Sequence, residues 1–434
     1  MFIAADDTDS STWMCTTFLA TELVRATAEW DLIGLPRLVR LNPAVPWKTR
    51  GNGAICIRVG RGAGEPRLCG RLDGRDLVCY ARSAGEPDAD EVMARCWPVV
   101  ERWSQTDSSD PGLAVGRNAP APDLYYRAVR EIIDQEEAVR ELLKVEARTF
   151  EMNSGRGLIG AAAAAAWRPQ DRTYEVLAYR ERERWGLPRL VSEDDVALLD
   201  DRFPSTFNNY DRSAGRPVIV PHTNCPVLFG VRGDSPLEVM DAARSISSEP
   251  VERWMLFITN QGTDDHIVTS WKALVPSSSY LVEGEVVSMP RTIPGGHVIF
   301  SLGTAVGDLD CAAYEPSKGF RDVVRMLRPG DRIQAMGELR DRPRTMNIEK
   351  LNVLSLARVE VRSSPRCPSC GRRTGSAGRG QGYRCRKCGT KGLPAEAVSE
   401  LRGIAPGWYE PPVSARRHLS KPLKRMGQIS TIAV

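Results

Sequence analysis

The sequence has no long hydrophobic run and no leader of the secretory kind, and both absences limit where the protein works. Its longest apolar stretch, the alanine-rich IGAAAAAAW at 159–167, is too short to cross a bilayer. The first residues lack the charged start and apolar core of a signal peptide, since acids arrive at Asp6. We therefore expect a cytosolic, cytoplasmic protein without a membrane-spanning segment.

Grouped cysteines of the kind that form a disulfide framework are also few. Seven of the eleven cysteines stand alone, and isolated cysteines in a cytosolic chain are usually small buried apolar residues. The GxxxxGK[ST] pattern is absent, so any nucleotide site must be of another kind. The chain has 434 residues, of which 42% are hydrophobic, so we expect several folded domains.

Acids are missing from one stretch near the C-terminus. Residues 361–395 contain nine Arg or Lys and no Asp or Glu, and a second basic run extends from Arg416 to Arg425. The net charge of the whole chain is only +4. Positive segments at one end of such a chain predict a polyanionic partner, and a merely solvated basic face is the alternative.

Four cysteines inside the acid-free stretch predict a zinc site. They form two CxxC pairs separated by fourteen residues, and each pair is followed by a glycine, Gly371 or Gly389. Two such turns bring four thiolates onto one metal, and a closed four-thiolate site is structural. The ligands expected for this structural Zn²⁺ are Cys367, Cys370, Cys385 and Cys388.

A second cluster of metal-binding groups lies near the N-terminus. The stretch DDTDS brings Asp6, Asp7 and Asp9 close to Thr16 and Thr17, which begin a predicted helix. Carboxylate oxygens suit Mg²⁺, and a helix N-terminus favours an anion. The pattern is typical of a phosphoryl-transfer site, and a turn with a helix N-cap is the alternative.

Two glycine loops carry positive side chains. WKTRGNGA at 47–54 offers Lys48 and Arg50 as cations, while Gly51 and Gly53 allow backbone amides to approach phosphate oxygens. NSGRGLIG at 153–160 repeats the pattern before a helix, with the same alternative of a simple turn.

Other polar residues give weaker signals. FNNYD at 207–211 could bind a small polar substrate, with Asp211 suited to a cation, or could be a plain polar turn. His222 and His266 fit hydrogen-bonded loop residues better than catalysts.

The coarse pattern of elements is α+β for the first part of the chain. It predicts strands at 2–7, 36–41 and 54–59, a helix from Cys15 to Trp30, and a helix over 91–103 interrupted at Pro98. A helical stretch is predicted over 123–151.

Residues 279–356 differ from the first part of the chain. They contain five short predicted strands, a helix before the fourth strand, and Gly284 and Gly337 inside strands. That order indicates an oligonucleotide-binding OB-fold, and a small barrel without a ligand is the alternative.

Taken together, the motifs resemble one family. DDTDS followed by MCTT, WKTRGNGA, GRGLIG, TYEVLAYR, TFNNYD, PHTNCPVLFGVRG and NQGTDDH occur in one order before the barrel and the four cysteines. This order is similar to that of the archaeal tRNA agmatidine synthetases, from residue 1 to about residue 390. Trp13 departs from the family pattern, which has Gly before MCTT.

The resemblance implies a reaction and a set of residues. The family uses ATP to activate the C2 carbonyl of the wobble cytidine in the CAU-anticodon isoleucine tRNA, and agmatine then displaces phosphate. It implies that Thr16 is phosphorylated and that Asp7 acts in catalysis. Magnesium and ATP would be bound by Asp6, Asp7, Asp9, Lys48, Arg50, Gly51 and Asn52, and agmatine by Asp211 and Asn208.

We expect a multidomain α+β protein with five parts. They are an N-terminal kinase-like catalytic unit (1–125), a ferredoxin-like unit completing the active site (126–266), an OB-fold β-barrel (272–358), a zinc ribbon (363–394) and a basic C-terminal tail (395–434).

Two other functions remain open on the sequence alone. A non-catalytic tRNA- or single-strand-binding protein would explain the barrel and ribbon but leave the acid cluster unused. An RNA-modifying ligase or kinase with a different substrate would consume ATP without depending on agmatine.

Overall fold

A computed structural model of the chain describes residues 1–9, 13–48, 51–104 and 108–427. Within these ranges no helix is long and apolar enough to span a membrane. The described chain forms an α+β part, a β-barrel, a small cysteine-bearing unit and a segment that returns to the α+β part.

One large sheet organises the α+β part. The strands in chain order are β1 (Phe2–Asp6), β2 (Asp31–Ile33), β3 (Arg37–Arg40), β4 (Gly53–Gly60), β5 (Gly62–Ala63), β6 (Arg67–Leu72), β7 (Arg75–Tyr80), β8 (Arg82–Ser83), β9 (Gly112–Gly116), β10 (Arg148–Glu151), β11 (Thr173–Arg180), β12 (Tyr210–Asp211), β13 (Arg216–Pro217), β14 (Val227–Gly233) and β15 (Val251–Thr259). The order in the sheet is β10-β9-β1-β4-β2-β7-β6-β15-β11-β14, with β3 paired to β4 and β15, while β5–β8 and β12–β13 are separate ribbons. Because β15 pairs with β6 and with β3, both expected α+β units share this sheet.

Helices cover both faces of the sheet. They are α1 (Thr16–Ala26), α2 (Ala89–Trp103), α3 (Pro122–Arg130), α4 (Gln135–Lys144), α5 (Gly157–Ala166), α6 (Glu193–Ala197), α7 (Leu199–Arg202) and α8 (Pro236–Arg244). Side chains alternate along β1, so Ile3 and Ala5 pack with α1 and α2, while Phe2 and Ala4 pack with α3, α4 and α5.

The alanine run forms α5, and its small side chains let this helix approach the sheet closely. A Cβ at Gly112 would lie 2.1 Å from the Leu158 nitrogen, and one at Gly157 would lie 2.4 Å from the Asp6 carbonyl oxygen. The N-terminus of α5 therefore touches the end of β1, where the acid cluster begins.

Two element predictions were wrong. Helix α2 continues through Pro98 without interruption. The helical stretch expected over 123–151 is instead α3, α4 and strand β10, whose residues pair with β9. The acid-base spacing of this segment did not distinguish one long helix from two helices joined to an edge strand.

The barrel follows the strand order expected for it. Its elements are β16 (Ile267–Val268), β17 (Ser279–Val286), β18 (Arg291–Thr292), β19 (Val298–Thr304), β20 (Gly307–Ala313), α9 (Phe320–Arg325), β21 (Arg332–Arg340) and β22 (Thr345–Ser355). The sheet closes because β17 pairs with both β19 and β21. The glycine predictions are confirmed, since a Cβ at Gly337 would lie 2.1 Å from the Asn347 oxygen and one at Gly284 2.4 Å from the Gly303 oxygen.

The last part of the chain includes a return to the α+β part. Its strands are β23 (Glu360–Ser363), β24 (Gly375–Ser376), β25 (Tyr383–Arg384), β26 (Glu396–Ser399) and β27 (Gly407–Tyr409), of which β27 pairs with β22. Residues 410–427, here named the strap, then cross the α+β part, where Leu419 is buried in the core beside α3 and α5.

Candidate active site

The three predicted metal-binding aspartates lie together at the end of β1. Asp6 is buried, and Asp7 has a left-handed backbone with a φ of 52°, a conformation uncommon outside glycine. Burial, and then the neighbouring charge of Asp7, raise the pKa of Asp6 well above its usual range. Burial also raises the pKa of Asp7, although Arg156 opposes that change. Such mutual repulsion would be relieved by a cation.

Helix α5 fixes the positions of these carboxylates. A Cβ at Gly160 would lie 1.8 Å from Asp6 Oδ2, so the absence of a side chain there makes room for the carboxylate. Arg156, at the start of α5, contacts Asp7 Oδ2 at 3.0 Å and Asp110 Oδ2 at 3.1 Å. The GRGLIG loop thus supports the acid cluster through packing and one ion pair.

A first cleft of about 680 Å³ opens beside the acid cluster. Its lining combines polar groups with the apolar side chains of Leu41, Ile132 and Ile133. The predicted site residues in its lining are Asp6, Asp7, Asp9, Lys48 and Asn52. An apolar wall facing carboxylates and a lysine suits a ligand with a flat ring and a phosphate tail.

Thr16 lies between the acid cluster and a second cleft. It is the first residue of α1, is buried, and its Oγ1 accepts a hydrogen bond from Thr8 Oγ1 at 3.2 Å. Thr17 beside it is fixed by Tyr179, whose hydroxyl donates to the Thr17 carbonyl oxygen at 2.9 Å. Thr16 therefore presents a hydroxyl at a helix N-terminus.

The glycine loop forms the wall between the two clefts. Asn52 has a left-handed backbone with a φ of 46°, and its Nδ2 donates to the Asn42 carbonyl oxygen at 2.9 Å. Lys48 Nζ donates to the Pro43 carbonyl oxygen. Arg50, also predicted for this site, lies outside the described residues. Asp9, Asn52 and Gly53 line both clefts, which makes the clefts neighbours.

The second cleft is larger, about 1510 Å³, and more cationic. Its charged and titratable lining comprises Asp9, Glu175, Arg40, Arg216, Arg232, Arg416, Arg417, His222 and His418. Glu175 is engaged by Arg232 Nε at 2.8 Å and by Gln261. Among the residues that the structure describes, the buried Nε of Arg40 has no hydrogen-bond partner. This distribution suits a ligand that brings negative charge.

The two residues expected to bind agmatine are placed differently. Asn208 lines the second cleft, has a φ of 57°, and its Oδ1 accepts from Arg416 at 2.8 Å. Asp211 is buried behind that wall, where its carboxylate accepts hydrogen bonds from Ser213, Ala214 and Ser414. Burial alone would raise the pKa of Asp211, but these hydrogen bonds lower it.

The strap completes the second cleft, and sequence reasoning missed it. The carbonyl oxygen of His418 accepts a hydrogen bond from Gly262 at 2.8 Å, and Ser414 donates its backbone N–H to Asp211 Oδ2 at 3.1 Å. A side chain that reaches a site from a distant part of the chain leaves no local signal, and the apolar Leu419 and Leu423 inside the basic run are the features that could have indicated an anchored segment.

Most cations of the second basic run pair with acids of the protein itself. Arg416 pairs with Glu410 at 2.8 Å, and Arg417 pairs with Glu338. Lys421 and Arg425 both reach Asp171 at 2.8 Å. Acids of the protein itself neutralise most of this charge, because the run lies over an acidic part of the fold.

The four predicted zinc ligands meet at one point. The sulfur atoms of Cys367, Cys370, Cys385 and Cys388 all lie within 4.8 Å of one another, which fits a tetrahedral four-thiolate site. Gly371 and Gly389 have φ values of 70° and 78°, so both turns need the backbone freedom of glycine. The ribbon also carries the nine Arg and Lys residues of the acid-free stretch 361–395.

The two histidines singled out in the sequence lie in different surroundings. His266 is fully buried, and its Nε2 lies 2.8 Å from Glu349 Oε1, joining the α+β part to the barrel. His222 lines the second cleft.

Comparison with known proteins assigns a family. Family models described as the TiaS TCKD domain, the TiaS FLD domain and the TiaS C-terminal zinc ribbon domain match residues 2–154, 155–266 and 364–404. The isoleucine-tRNA 2-agmatinylcytidine synthetase TiaS of Archaeoglobus fulgidus is 40% identical over 98% of this chain and 97% of its own. The enzyme of Methanocaldococcus jannaschii is 38% identical over 98% of both chains.

Solved structures agree with this assignment. A crystal structure of TiaS with its tRNA and ATP is 37% identical to this chain and superposes with a TM-score of 0.84. The alignment covers 98% of this chain and 97% of that one. A complex of TiaS with tRNA, AMPCPP and agmatine is 35% identical with a TM-score of 0.82 and the same coverage. The chain therefore belongs to the TiaS family of isoleucine-tRNA 2-agmatinylcytidine synthetases.

Proposed function

We propose that this protein is an ATP-dependent ligase that joins agmatine to C2 of the wobble cytidine in the CAU-anticodon isoleucine tRNA. Phosphorylation of the cytosine C2 oxygen activates the base, and the agmatine amine then displaces phosphate to give agmatidine. The relatives named above carry this activity in their names, and related structures contain ATP, tRNA and agmatine.

The observation that carries the proposal is the pair of adjoining clefts. A two-step reaction needs one site for ATP and one for the nucleoside and amine, with a passage between them for the phosphoryl group. Asp9, Asn52 and Gly53 belong to both clefts, so groups bound on the two sides would meet at this wall. Catalysis of this kind depends mainly on positioning and charge.

In the first cleft, ATP would lie with its ring against the apolar wall and its phosphates toward Lys48, Asn52 and the Gly51–Gly53 backbone. Asp6, Asp7 and Asp9 offer hard oxygen ligands, and their raised pKa values, reported above for the first two, fit a group that is stabilised when a divalent cation binds. These aspartates would hold Mg²⁺, which supplies neutralisation of phosphate charge. Arg50, from the same glycine loop, would add a positive charge that binds phosphate.

Thr16 would receive or relay a phosphoryl group at the wall. Its hydroxyl lies at the N-terminus of α1, where free backbone amides stabilise added negative charge. Asp7 would act in the same step by orienting the metal-bound phosphates.

The second cleft would take the flipped wobble cytidine together with agmatine. Its cationic lining suits the nucleotide phosphate, and extrusion of the base from its stack must be offset by contacts of this kind. We propose that Asn208 contacts agmatine and that Asp211 supports this wall from behind and shapes the agmatine pocket.

The remaining domains would hold the tRNA body. We propose that the α+β part comprises a kinase-like unit (1–125) and a ferredoxin-like unit (126–266) that build the active site jointly, that residues 272–358 form an OB-fold, and that the 363–394 ribbon presents its bases to phosphates. The arrangement of the four sulfur atoms fits a structural Zn²⁺. A cytoplasmic location stays a prediction.

The test is incorporation of labelled agmatine into a transcript of the isoleucine tRNA, with and without ATP and Mg²⁺. We expect incorporation only when ATP, Mg²⁺ and this tRNA are all present. Tight tRNA binding without ATP consumption would favour the non-catalytic binding protein. ATP consumption without agmatine incorporation would favour a ligase or kinase with another substrate.

A further inference from the structure

We propose that His418, carried into the second cleft by the strap, is a catalytic base of the agmatine step, whose Nε2 accepts the proton that the attacking amine loses. This inference rests on the proposed function and adds a residue to it. The family resemblance assigned no role to the strap.

The position of the ring supports this role. His418 lines the second cleft and is exposed to it, although the ring is surrounded by protein. A Cβ built at Gly51 would lie 3.3 Å from both Cδ2 and Nε2, so the ring rests against the loop that separates the two clefts. A base at this wall is beside the place where the amine must meet the activated base.

The backbone of the strap holds the ring there. Gly262 donates to the His418 carbonyl oxygen at 2.8 Å, Asp264 donates its N–H to the Leu419 carbonyl oxygen at 2.9 Å, and the side chain of Leu419 is buried. Among the described residues no side chain hydrogen-bonds to the imidazole of His418, and the residue lines the cleft.

The charged surroundings disfavour the imidazolium form, so the ring is neutral before the amine attacks. The positive charge of Arg40, then burial, then Arg232 and Lys48 lower the pKa of His418 well below its usual range. Arg417 precedes it in the strap and is paired with Glu338, and Glu175 on β11 is engaged by Arg232. The same positive field disfavours the ammonium form of an entering amine, so it also favours the nucleophilic form.

The proton transfer accompanies one bond exchange. The amine nitrogen of agmatine bonds to C2 while the bond from C2 to the phosphorylated oxygen breaks, and its electron pair leaves with phosphate. The attacking nitrogen carries a proton that the product does not retain, and this proton passes to Nε2. Arg40 lines the same cleft, with its Nη1 beside Gly51, and would stabilise the departing phosphate.

The test separates the two steps in the variants His418→Ala and His418→Gln. Transfer of labelled phosphate from ATP to the tRNA should stay within about twofold of wild type, while agmatine attachment should fall by roughly 10²–10⁴-fold. The residual attachment rate should rise with pH, since more of the free amine, whose pKa resembles that of lysine at about 10, is then unprotonated.

Chemical rescue and a matched control distinguish a base from a structural residue. Added imidazole should restore attachment by His418→Ala, whereas pyrazole, a ring of the same size but a much weaker base, should not. Leu419→Ala loosens the strap without removing the imidazole, and imidazole should not rescue it.

If both steps fall together in His418→Ala and neither pH nor imidazole changes the deficit, His418 only anchors the strap and the proposal is wrong. If attachment stays at the wild-type rate in both variants, the base lies elsewhere and the proposal is equally wrong. Wild type that attaches no agmatine at all would instead reject the function itself.

Discussion

Three aspartates at the end of a buried strand would repel one another, and the fold increases this cost by burying Asp6, while Arg156 supports Asp7. Strain of this kind is typical of sites that await a cation. The left-handed backbones of Asp7, Asn52 and Asn208 belong to the same site and are tolerated because Asp and Asn side chains accept that conformation.

Gly160→Ala should disable the acid cluster with little effect on the rest of the fold. The added Cβ would overlap Asp6 Oδ2, so the carboxylate must move and the affinity for metal-bound ATP should fall at least tenfold. Titration with ATP and Mg²⁺ measures this. Gly319→Ala is the control, because a Cβ there meets nothing within 4 Å. ATP affinity equal to wild type in Gly160→Ala would contradict the geometry.

Sequence reasoning found the residues of the site that stand in short motifs and missed those that long-range folding brings in. Asp6, Asp7, Asp9 and Thr16 share one loop, so their chemistry could be read locally. Arg40 and His418 stand far apart in basic or mixed segments, where a charged side chain is usually solvated. Asp211 had the right charge for agmatine, but its burial behind Asn208 depends on the strap.

At the scale of elements, the strap is held mainly by charge and by two buried leucines, Leu419 and Leu423. Lys421 and Arg425 share Asp171, and Arg425 also pairs with Asp234. These pairs satisfy most of the positive charge of the run within the protein.

Asp171→Asn should loosen the strap. Two cations would lose their shared partner, at a cost of about 1–3 kcal/mol for partly buried charged hydrogen bonds. Trypsin should therefore cleave after Lys424 or Arg425 several-fold faster than in wild type. Asp241→Asn, which removes an exposed pair with Arg244 on α8, is the control and should leave cleavage unchanged. Equal cleavage in both variants would show that Asp171 does not hold the strap.

Removing zinc should weaken tRNA binding without disturbing the clefts. The ribbon depends on zinc bound by its four thiolates for its fold. Once it unfolds, its Arg and Lys side chains would no longer lie together on one surface. We expect a lower tRNA affinity and a shallower dependence on salt after chelation, with ATP affinity unchanged. Binding titrations at several salt concentrations measure this. An unchanged salt dependence would mean that the ribbon makes no phosphate contacts.

Element patterns predicted the barrel better than the large sheet. The barrel contains the hairpins β19–β20 and β21–β22, which pair neighbours in the chain, so part of its order could be predicted locally. In the large sheet β15 joins β3 across about 220 residues and β6 across about 180, and no local periodicity signals such pairing. The α3–α4–β10 segment was misread because strand β10 is short and exposed.

At the scale of the whole molecule, a buried polar network docks the barrel on the α+β part. His266 contacts Glu349 at 2.8 Å, and Lys350 contacts Asp264 at 2.6 Å. Burial alone would raise the pKa of Glu349, but His266, then Arg417 and Lys350, outweigh it and lower the pKa to about 2. This carboxylate therefore favours the docked state whenever it is ionised.

Stability should fall with acid more steeply in wild type than in Glu349→Gln. Below its ordinary pKa of 4.5 the carboxyl takes up a proton in the unfolded chain, while the folded one stays ionised until about 2, so its contribution is lost across that interval. Urea unfolding should show a deficit in the variant of roughly 3 kcal/mol near neutral pH that narrows toward pH 3. A deficit that stays constant with pH would contradict the ion-pair account.

The most direct test of the central claim measures both chemical steps in variants of the two clefts. Asp7→Asn should lose phosphate transfer from ATP and agmatine attachment together, because both depend on the first cleft. Asn208→Ala should still transfer phosphate to the tRNA but attach agmatine more slowly or with weaker affinity for it. Agmatine attachment at the wild-type rate in Asp7→Asn, or equal loss of both steps in Asn208→Ala, would contradict the assignment of ATP and agmatine to these two neighbouring clefts.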